Sequence, residues 1–184
     1  AVARLNALGF AAAPAPGGLT SPDDWRVEVV SGLKALGRVS GVAMVRGSVA
    51  SLFADARRWR IEADDGRVWF TPTVVLATGV GPPLPGLPDR VAAAVSAIEP
   101  VRGQLTPVAA TPPARTLRTP DLYVVPASSG VVIGATMERG RRDLAPDLDE
   151  SAGRVAAGLA LLGAEGTAGP PRVGVRGATA DGLP

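Results

Sequence analysis

The segment Leu122-Tyr-Val-Val-Pro-Ala-Ser-Ser-Gly-Val-Val-Ile-Gly-Ala-Thr-Met137 holds two apolar runs separated by the turn residues Ser128-Ser129-Gly130. Two short runs rich in β-branched residues, with a glycine-containing turn between them, are typical of a β-hairpin. Upstream of this segment, Val101-Arg-Gly-Gln-Leu-Thr-Pro-Val108 predicts a third strand. The three runs together indicate an antiparallel sheet in the second half of the chain.

A helix and a further strand follow this hairpin in the sequence. Asp147 to Asp149 carry side chains of the type that accept hydrogen bonds from the first amides of a helix. The helix is expected to run through about Leu162, with Val155 and Leu159 on its apolar face. Pro170 to Arg176 then predicts another strand. The second half is therefore expected to be an antiparallel sheet that carries one helix.

The first half of the chain predicts a short helix followed by a β-meander. The helix covers residues 26–38, where apolar residues recur at close to helical spacing. Asp64-Asp65-Gly66 is typical of a tight hairpin turn between two strands. The side chains expected to pack the meander are Trp59, Ile61, Val68 and Phe70.

The run Val74-Val-Leu-Ala77 is continuously apolar, which is typical of a strand that is buried on both faces of a sheet. It opens into a loop with Gly79 and Gly81, the kind of position at which α/β folds bind ligands. Uncovered, such a run would expose apolar surface. We therefore expect another segment or a second copy of the chain to cover it.

Composition excludes several classes of site. The sequence contains no cysteine and no histidine, which excludes disulfide scaffolds, thiolate or histidine metal sites, and catalytic triads with a histidine base. No apolar run approaches the roughly 18 residues of a membrane span. Arg4 and Asn6 interrupt the apolar start of the chain too early for a secretory signal. We expect a cytoplasmic protein without a membrane span or a metal site.

Charge gives little indication of a nucleic-acid partner. The formal net charge is +2, and the arginine clusters at residues 57–60 and 139–142 lie among acidic residues. No aromatic stacking platform accompanies either cluster in the sequence, whereas proteins that bind single strands combine basic and aromatic side chains. We therefore expect solvated surface at both clusters and no bound nucleic acid.

Four segments occur in a fixed order: Val74-Val-Leu-Ala-Thr-Gly79; Pro100-Val-Arg-Gly-Gln104; Tyr123-Val-Val-Pro126 followed by Gly134-Ala-Thr-Met137; and Arg176-Gly-Ala-Thr-Ala-Asp-Gly-Leu-Pro184. Over nearly the whole chain this series resembles the FAD-dependent amino-acid oxidases of the D-amino-acid oxidase and glycine oxidase family. It is most similar to the glycine oxidases of the thiamine pathway.

The resemblance implies an α+β fold. An antiparallel-sheet substrate domain of the D-amino-acid oxidase type is joined by a β-meander and one buried strand from an FAD-binding α/β domain. Residues 1–98 would be the partial FAD-binding domain, residues 99–176 the substrate-binding domain, and residues 177–184 the start of the return segment to the FAD domain.

The sequence departs from the family pattern in two places that concern FAD. It has no strand–GxGxxG–helix unit for the FAD pyrophosphate, and Gly79-Val-Gly81 is followed by prolines that prevent a helix from starting there. The family's C-terminal flavin-contacting loop would follow Pro184. We interpret the chain as an internal fragment of a larger flavoprotein, and we expect it not to bind FAD tightly by itself. A smaller departure is Gly177, where the family usually has proline.

Three residues match the family's substrate site. Arg176 corresponds to the arginine that binds the substrate carboxylate, and a guanidinium can hold a carboxylate through two parallel N–H groups. Tyr123, the only tyrosine, corresponds to a hydroxyl that binds the same carboxylate, and Met137 lines the side-chain pocket. The residues alone leave open an ordinary exposed arginine, a structural tyrosine and a core methionine.

Four residues match positions that contact FAD: Val49, Ala77, Thr78 and Gly79. A glycine there lets the backbone approach a ligand without a clash from a Cβ atom. Packing and an ordinary turn are the alternatives. The segment with Arg102 and Gln104 matches the family too, but no chemical role is assigned to it.

The resemblance implies an enzyme that oxidises the C–N bond of glycine or another small amino acid. Hydride would pass from Cα–H to flavin N5 while Arg176 and Tyr123 hold the carboxylate, and no protein side chain would act as acid or base at the reacting carbon. Oxygen or another acceptor would take up the electrons. The alternatives are a sarcosine-type oxidase, a D-amino-acid dehydrogenase with a quinone acceptor, and a non-catalytic binding or assembly domain.

Overall fold

The structure is a computed structural model that describes residues 2–7, 13–15, 18–20, 29–55 and 57–179. The chain divides into two compact units. Unit 1 consists of Ala1–Gly32, Arg102–Glu138 and Arg142–Gly174, and unit 2 consists of Leu33–Val101, Arg139–Arg141 and Val175–Pro184. The functional division at residues 98 and 176 stays a prediction.

The described residues form short helices and many strands. The helices are α1 (Val2–Ala7), α2 (Val29–Leu36), α3 (Asp89–Ser96) and α4 (Leu148–Leu162). The strands are β1 (Ala13–Ala15), β2 (Gly18–Thr20), β3 (Val49–Asp55), β4 (Arg58–Ala63), β5 (Val68–Thr71), β6 (Glu99–Ala109), β7 (Leu117–Arg118), β8 (Tyr123–Ala127), β9 (Gly130–Gly134), β10 (Glu138–Arg139), β11 (Thr167–Ala168) and β12 (Arg172–Ala178). This mixture confirms the α+β fold class.

The larger sheet has the strand order β1-β2-β7-β8-β9-β6-β10, and β11 and β12 also pair with β6. Strands β8 and β9 form the predicted hairpin, with Ala127 opposite Gly130 across the turn. Strand β6 runs antiparallel to β9, with Leu105 opposite Gly134. The three strands predicted from the second half of the sequence are confirmed.

Helix α4 covers one face of the unit 1 sheet. Its N-cap is Asp147, as predicted, whose carboxylate accepts a hydrogen bond from the Glu150 amide at 3.0 Å. Val155 packs against the sheet, and a Cβ atom added at Gly158 would lie 2.7 Å from Ile133 Cδ1. The buried hydrophobic cluster consists of Val108, Val124, Val131, Ile133 and Val155.

Polar side chains of β6 lie on the same face as α4 and connect the strand to the segment that leads into the helix. The side-chain amide of Gln104 donates to the Asp147 backbone carbonyl at 2.7 Å and accepts from the Asp147 backbone amide at 2.8 Å. The Thr106 hydroxyl bonds the Ser151 hydroxyl at 2.7 Å. Arg102 is 1% exposed, forms an ion pair with Glu138 and donates to backbone carbonyls farther along that segment. These bonds satisfy polar groups that would be costly to bury unpaired.

The meander of unit 2 is the sheet β3-β4-β5, and its pairing corrects the expected packing. On the inner face Leu52, Ile61 and Trp69 lie opposite one another. Trp59 and Ile61 are partly buried as expected, but Val68 and Phe70 are exposed. The prediction was wrong for these two because the register places them on the opposite face of the sheet from Ile61.

The predicted buried strand at residues 74–77 is also corrected. Strand β5 ends at Thr71, and residues 73–79 pair with no strand of the described chain. Val75 is 84% exposed, whereas Val74 and Leu76 are partly buried. Cover of this run by another segment or a second copy of the chain stays a prediction. Of the predicted helix at residues 26–38 the structure contains α2, while residues 26–28 lie outside the described residues.

Candidate functional site

Tyr123 lies at the start of β8, directly opposite Gly134 of β9. A Cβ atom added at Gly134 would lie 3.0 Å from the Tyr123 hydroxyl oxygen and 3.1 Å from Cζ, so the phenol ring extends across the glycine. The same Cβ atom would lie 3.0 Å from Leu105 Cβ on β6. Gly134 therefore provides the space that the tyrosine side chain occupies between two neighbouring strands.

The β7–β8 turn fixes the backbone at Tyr123. The Thr119 amide donates to the Leu122 carbonyl at 2.8 Å, and the Leu122 amide donates to the Thr119 hydroxyl at 3.1 Å. Arg154 of α4 donates a hydrogen bond to the Asp121 carbonyl. The turn is thus attached to the helix, and the phenol starts from a well-defined position.

The sheet of unit 1 has a second face, which we define as the face opposite α4. In β6, β8 and β9 it carries partly buried apolar side chains, because the register places these residues opposite one another. They are Leu105, Pro107, Val125, Ala127 and Val132. The hydroxyl of Tyr123 is the polar group among them, and within the described residues it has no hydrogen-bond partner. A phenol on an apolar surface is suited to bind one polar end of a small ligand.

Met137 follows the end of β9 and is 67% exposed. The residues on both sides of it are attached to β6. The Gln104 backbone amide donates to the Thr136 hydroxyl at 2.9 Å, and Arg102 forms an ion pair with Glu138. Met137 is thus exposed, and the backbone around it is held in place. Its assignment to a substrate pocket stays a prediction.

Arg176 lies near the end of β12 and its side chain is exposed. Within the described part of the chain it makes no hydrogen bond or ion pair. Next to it, a Cβ atom at Gly177 would lie 2.6 Å from Ile98 Cγ2, which explains why a residue without a side chain stands there. Arg176 belongs to unit 2 and Tyr123 to unit 1. That both bind one carboxylate stays a prediction.

The residues predicted to contact FAD all lie in unit 2. Val49 begins β3 opposite Ala63, beside an irregularity in the strand register. Residues 77–79 are exposed and belong to no helix or strand, and Gly79 has φ of +66°, a left-handed conformation that favours glycine. Apart from its chain neighbours, nothing in the described part of the chain lies within 4 Å of a Cβ position at Gly79, so this backbone is open to approach. Contact of these residues with FAD stays a prediction.

Electrostatics and metal chemistry do not define a separate site among the described residues. Those residues contain no group of three or more carboxylates that could hold a metal ion, and none of their helices is long and apolar enough to cross a membrane. Hydrogen bonds from the Arg67 side chain and amide hold the pKa of Asp65 below its ordinary value. This pair lies at the β4–β5 turn.

Residues 2–184 match the family described as DAO, FAD dependent oxidoreductase. The chain belongs to this family. The family consists of FAD-dependent oxidoreductases, and FAD is the cofactor of the family.

Two bacterial proteins are similar in sequence to most of this chain. The chain is 31% identical over 156 residues, 83% of its length, to the tRNA 5-methylaminomethyl-2-thiouridine biosynthesis bifunctional protein MnmC of Pseudomonas aeruginosa (strain UCBPP-PA14). It is 31% identical over 179 residues, 91% of its length, to the protein of the same name from Aeromonas hydrophila. The chain spans 23% and 26% of the length of these two proteins.

Solved structures of DAO-type flavoenzymes share the fold. Glycine oxidase from Geobacillus kaustophilus superposes with a TM-score of 0.56 at 22% identity, covering 74% of this chain and 38% of that one. Iminodiacetate oxidase from Chelativorans sp. BNC1 superposes with a TM-score of 0.55 at 22% identity, covering 83% of this chain and 42% of that one. These likenesses confirm the fold class predicted from the family resemblance.

Sequence reasoning did not assign a role to Gly134, although it belongs to one of the four quoted segments. The position opposite Tyr123 depends on the register of β8 and β9, and only the turn length between Ala127 and Gly130 carries that information in the sequence. The outward position of Phe70 was missed for the same reason.

Proposed function

We propose that this chain is part of an FAD-dependent enzyme that oxidises the C–N bond of glycine or another small amino acid. The observation that carries the proposal is the Tyr123 hydroxyl, which lies on the apolar second face of the sheet without a partner among the described residues. A carboxylate that accepts a hydrogen bond from this hydroxyl leaves the rest of a small substrate against hydrocarbon.

Arg176 and Tyr123 bind and orient the substrate in this proposal. The exposed guanidinium offers two parallel N–H donors to the carboxylate, which fixes its direction as well as its charge. The partly buried aliphatic side chains of the second face exclude water from the carbon next to the amine. FAD, when bound, supplies the two-electron acceptor for the hydride of that carbon. Holding the substrate in one orientation lowers the barrier by several kcal/mol.

The accepted amine includes N-substituted glycines. Support comes from the fold likeness to iminodiacetate oxidase as well as to glycine oxidase. The sarcosine-type and D-amino-acid dehydrogenase branches differ from this proposal only in the amine substituent or in the final electron acceptor. Activity with glycine, sarcosine and iminodiacetate, measured with oxygen and with a quinone, separates the branches.

Substitution of Tyr123 by Phe tests the proposal in the flavin-loaded protein. Loss of a hydrogen bond to a charged group costs about 1.5–3 kcal/mol, so kcat/KM for glycine is expected to fall about tenfold to a hundredfold. Arg176→Gln is expected to have a larger effect. Arg172→Gln is the matched control, because Arg172 is an exposed arginine of the same strand. An unchanged kcat/KM in both site variants contradicts the proposal, and a protein without turnover on any amine supports the non-catalytic alternative.

A second candidate function is oxidation of an amine carried on RNA. It is favoured by the 31% identity to the two MnmC proteins, whose name refers to biosynthesis of a modified uridine with an aminomethyl group in tRNA. Mass spectrometry of tRNA nucleosides after incubation with the flavin-loaded protein tests it. A mass change in a modified uridine supports this candidate, and turnover of free amino acids alone supports the first.

A further inference from the structure

The outer face of the meander, which we define as the face opposite Leu52, Ile61 and Trp69, brings aromatic and basic side chains together. Phe53, Arg60 and Phe70 lie directly opposite one another across β3, β4 and β5. Phe53 is 42% exposed and Phe70 is 52% exposed. A row of two exposed aromatic rings with an arginine between them is unusual for a surface that only faces water.

A second arginine strengthens this aromatic surface. The Arg58 guanidinium carbon lies 4.3 Å from the centre of the Phe70 ring, within the range of a cation–π contact. Arg58 is exposed, so its guanidinium lies over the ring and is also accessible to solvent. A guanidinium in such a position can itself stack against a further planar group.

Near the β3–β4 turn the outer face carries three arginines, Arg57, Arg58 and Arg60, and the carboxylates of Asp55, which lies opposite Arg58, and Glu62. Arg57 and Arg58 are exposed and form no ion pair with any carboxylate of the described residues. Arg60 forms an ion pair with Glu62 at 2.5 Å, and the Glu62 carboxylate also accepts a hydrogen bond from the Ser51 hydroxyl at 2.6 Å. Two guanidinium groups are therefore available for an anion beside the two rings.

We propose that this outer face binds a single-stranded nucleic acid, with bases stacked on Phe70, Arg58 and Phe53 and phosphates bound by Arg57 and Arg58. Exposed aromatic side chains on a β-sheet, next to unpaired arginines, are the combination by which proteins bind unpaired bases and their phosphates. The arginine cluster was expected to lack a stacking platform, but strand register supplies the rings from β3 and β5.

This surface uses none of the residues of the proposed amino-acid site and goes beyond that function. It would give the RNA-linked second candidate a contact with its substrate, but it does not depend on that candidate. A duplex hides its base faces, so the surface is expected to prefer single strands. RNA and DNA both offer bases for stacking and phosphates for ion pairing. Comparing the affinities for the two identifies which nucleic acid the surface binds.

The test is fluorescence anisotropy with a labelled, unstructured oligonucleotide of about ten nucleotides, as RNA, as DNA and as a duplex. Phe70→Leu is expected to weaken binding about tenfold without changing the salt dependence, because a stacked base is lost and no phosphate contact is. Arg58→Gln is expected to weaken binding and to reduce the slope of log K against log salt by about 0.7, the value for one phosphate contact on a single strand. Val68→Ala and Arg90→Gln are matched controls, since Val68 is an exposed apolar residue on the same face of β5 and Arg90 is an exposed arginine of α3.

Binding that is insensitive to both Phe70→Leu and Arg58→Gln, or that favours the duplex, overturns the proposal. So does the absence of binding to all three oligonucleotides. Oxidation of free glycine is measured in the same variants and is expected to be unchanged. A protein that loses RNA binding but keeps glycine turnover separates this surface from the proposed enzyme site, and a protein that binds RNA without any turnover refutes only the proposed function.

Discussion

Replacing Gly134 with alanine places a methyl group 3.0 Å from the Tyr123 hydroxyl oxygen and 3.0 Å from Leu105 Cβ. Ordinary contacts at such a position begin at 3.4 Å, so at least one neighbour must move by a few tenths of an ångström. Leu105 Cβ is attached to the backbone of β6, which pairs with β9 at this point and resists displacement. The phenol of Tyr123 is the side chain that can move.

The size of the effect follows from that movement. Overpacking of this kind costs about 1–3 kcal/mol of stability, and the low end applies because the tyrosine is only partly buried. A displaced hydroxyl loses much of a charge-assisted hydrogen bond, so KM for glycine is expected to rise about tenfold. The value of kcat is expected to fall less, because the contact is made in the ground state as well as in the transition state.

The assay combines steady-state kinetics with fluorine NMR. Tyr123 is the only tyrosine of this chain, so 3-fluorotyrosine incorporated into the chain gives a single signal, which is expected to shift in the Gly134→Ala variant and with added glycine. In a Tyr123→Phe background the same alanine is expected to change KM little, since the hydroxyl is already absent. Equal effects of Gly134→Ala in both backgrounds would refute the reasoning. Gly153→Ala is the control, as no atom lies within 4 Å of its Cβ position.

Three further predictions concern stability, pH and the cofactor. In α4, Gly153→Ala is expected to stabilise the fold by about 0.5–1 kcal/mol. Gly158→Ala is expected to destabilise it, because its Cβ atom would lie 2.7 Å from Ile133; urea denaturation measures both, and equal changes would contradict the packing argument. The folded pKa of Asp65 lies below its ordinary 3.8, so its contribution to stability is present above that pH and is lost as pH falls through the lower folded pKa. NMR titration of the carboxylate is expected to show this, with a return toward 3.8 in Arg67→Gln. Titration of the isolated chain with FAD, followed by flavin fluorescence, is expected to give weak binding because the sequence lacks a pyrophosphate motif, and stoichiometric binding at micromolar concentration would contradict this.

The parts of the fold with strong local patterns could be predicted from the sequence. The β8–β9 hairpin follows from two apolar runs around Ser128-Ser129-Gly130, and α4 follows from Asp147 and an apolar face. Both depend on neighbours in sequence, where turn chemistry and capping act. The family resemblance extended this to the α+β class and to FAD, because it combines four segments whose order no local pattern explains.

Features that depend on distant neighbours could not be predicted. Strands β1, β2, β7, β10 and β11 contain two or three residues each, too few for a periodic pattern. The outward position of Phe70 depends on which residue of β4 it faces, and a shift of one residue reverses it. The run at residues 74–77 has the composition of a buried strand, but burial requires a covering element that a local sequence pattern does not contain.

The candidate site could likewise be predicted only in part from the sequence. The match to the family singled out Tyr123 and Arg176 but not Gly134, although the phenol reaches the second face only because that glycine has no side chain. Whether the two side chains bind one carboxylate depends on the arrangement of units 1 and 2. A double substitution of Tyr123 and Arg176 tests this, since a shared ligand group makes their effects on KM non-additive.

The segment with Arg102 and Gln104 matched the family without an assigned role, and the structure supplies a physical reason for its residue types. Alternation along β6 sends Arg102 and Gln104 to the α4 face, where they bind Glu138 and Asp147, and sends Leu105 to the second face, where it lies opposite Gly134. One strand thus attaches the helix segment on one side and forms a wall of the proposed site on the other. Because the polar groups are buried and paired, their loss would cost stability, so contacts on both faces of the strand restrict which residues it can carry.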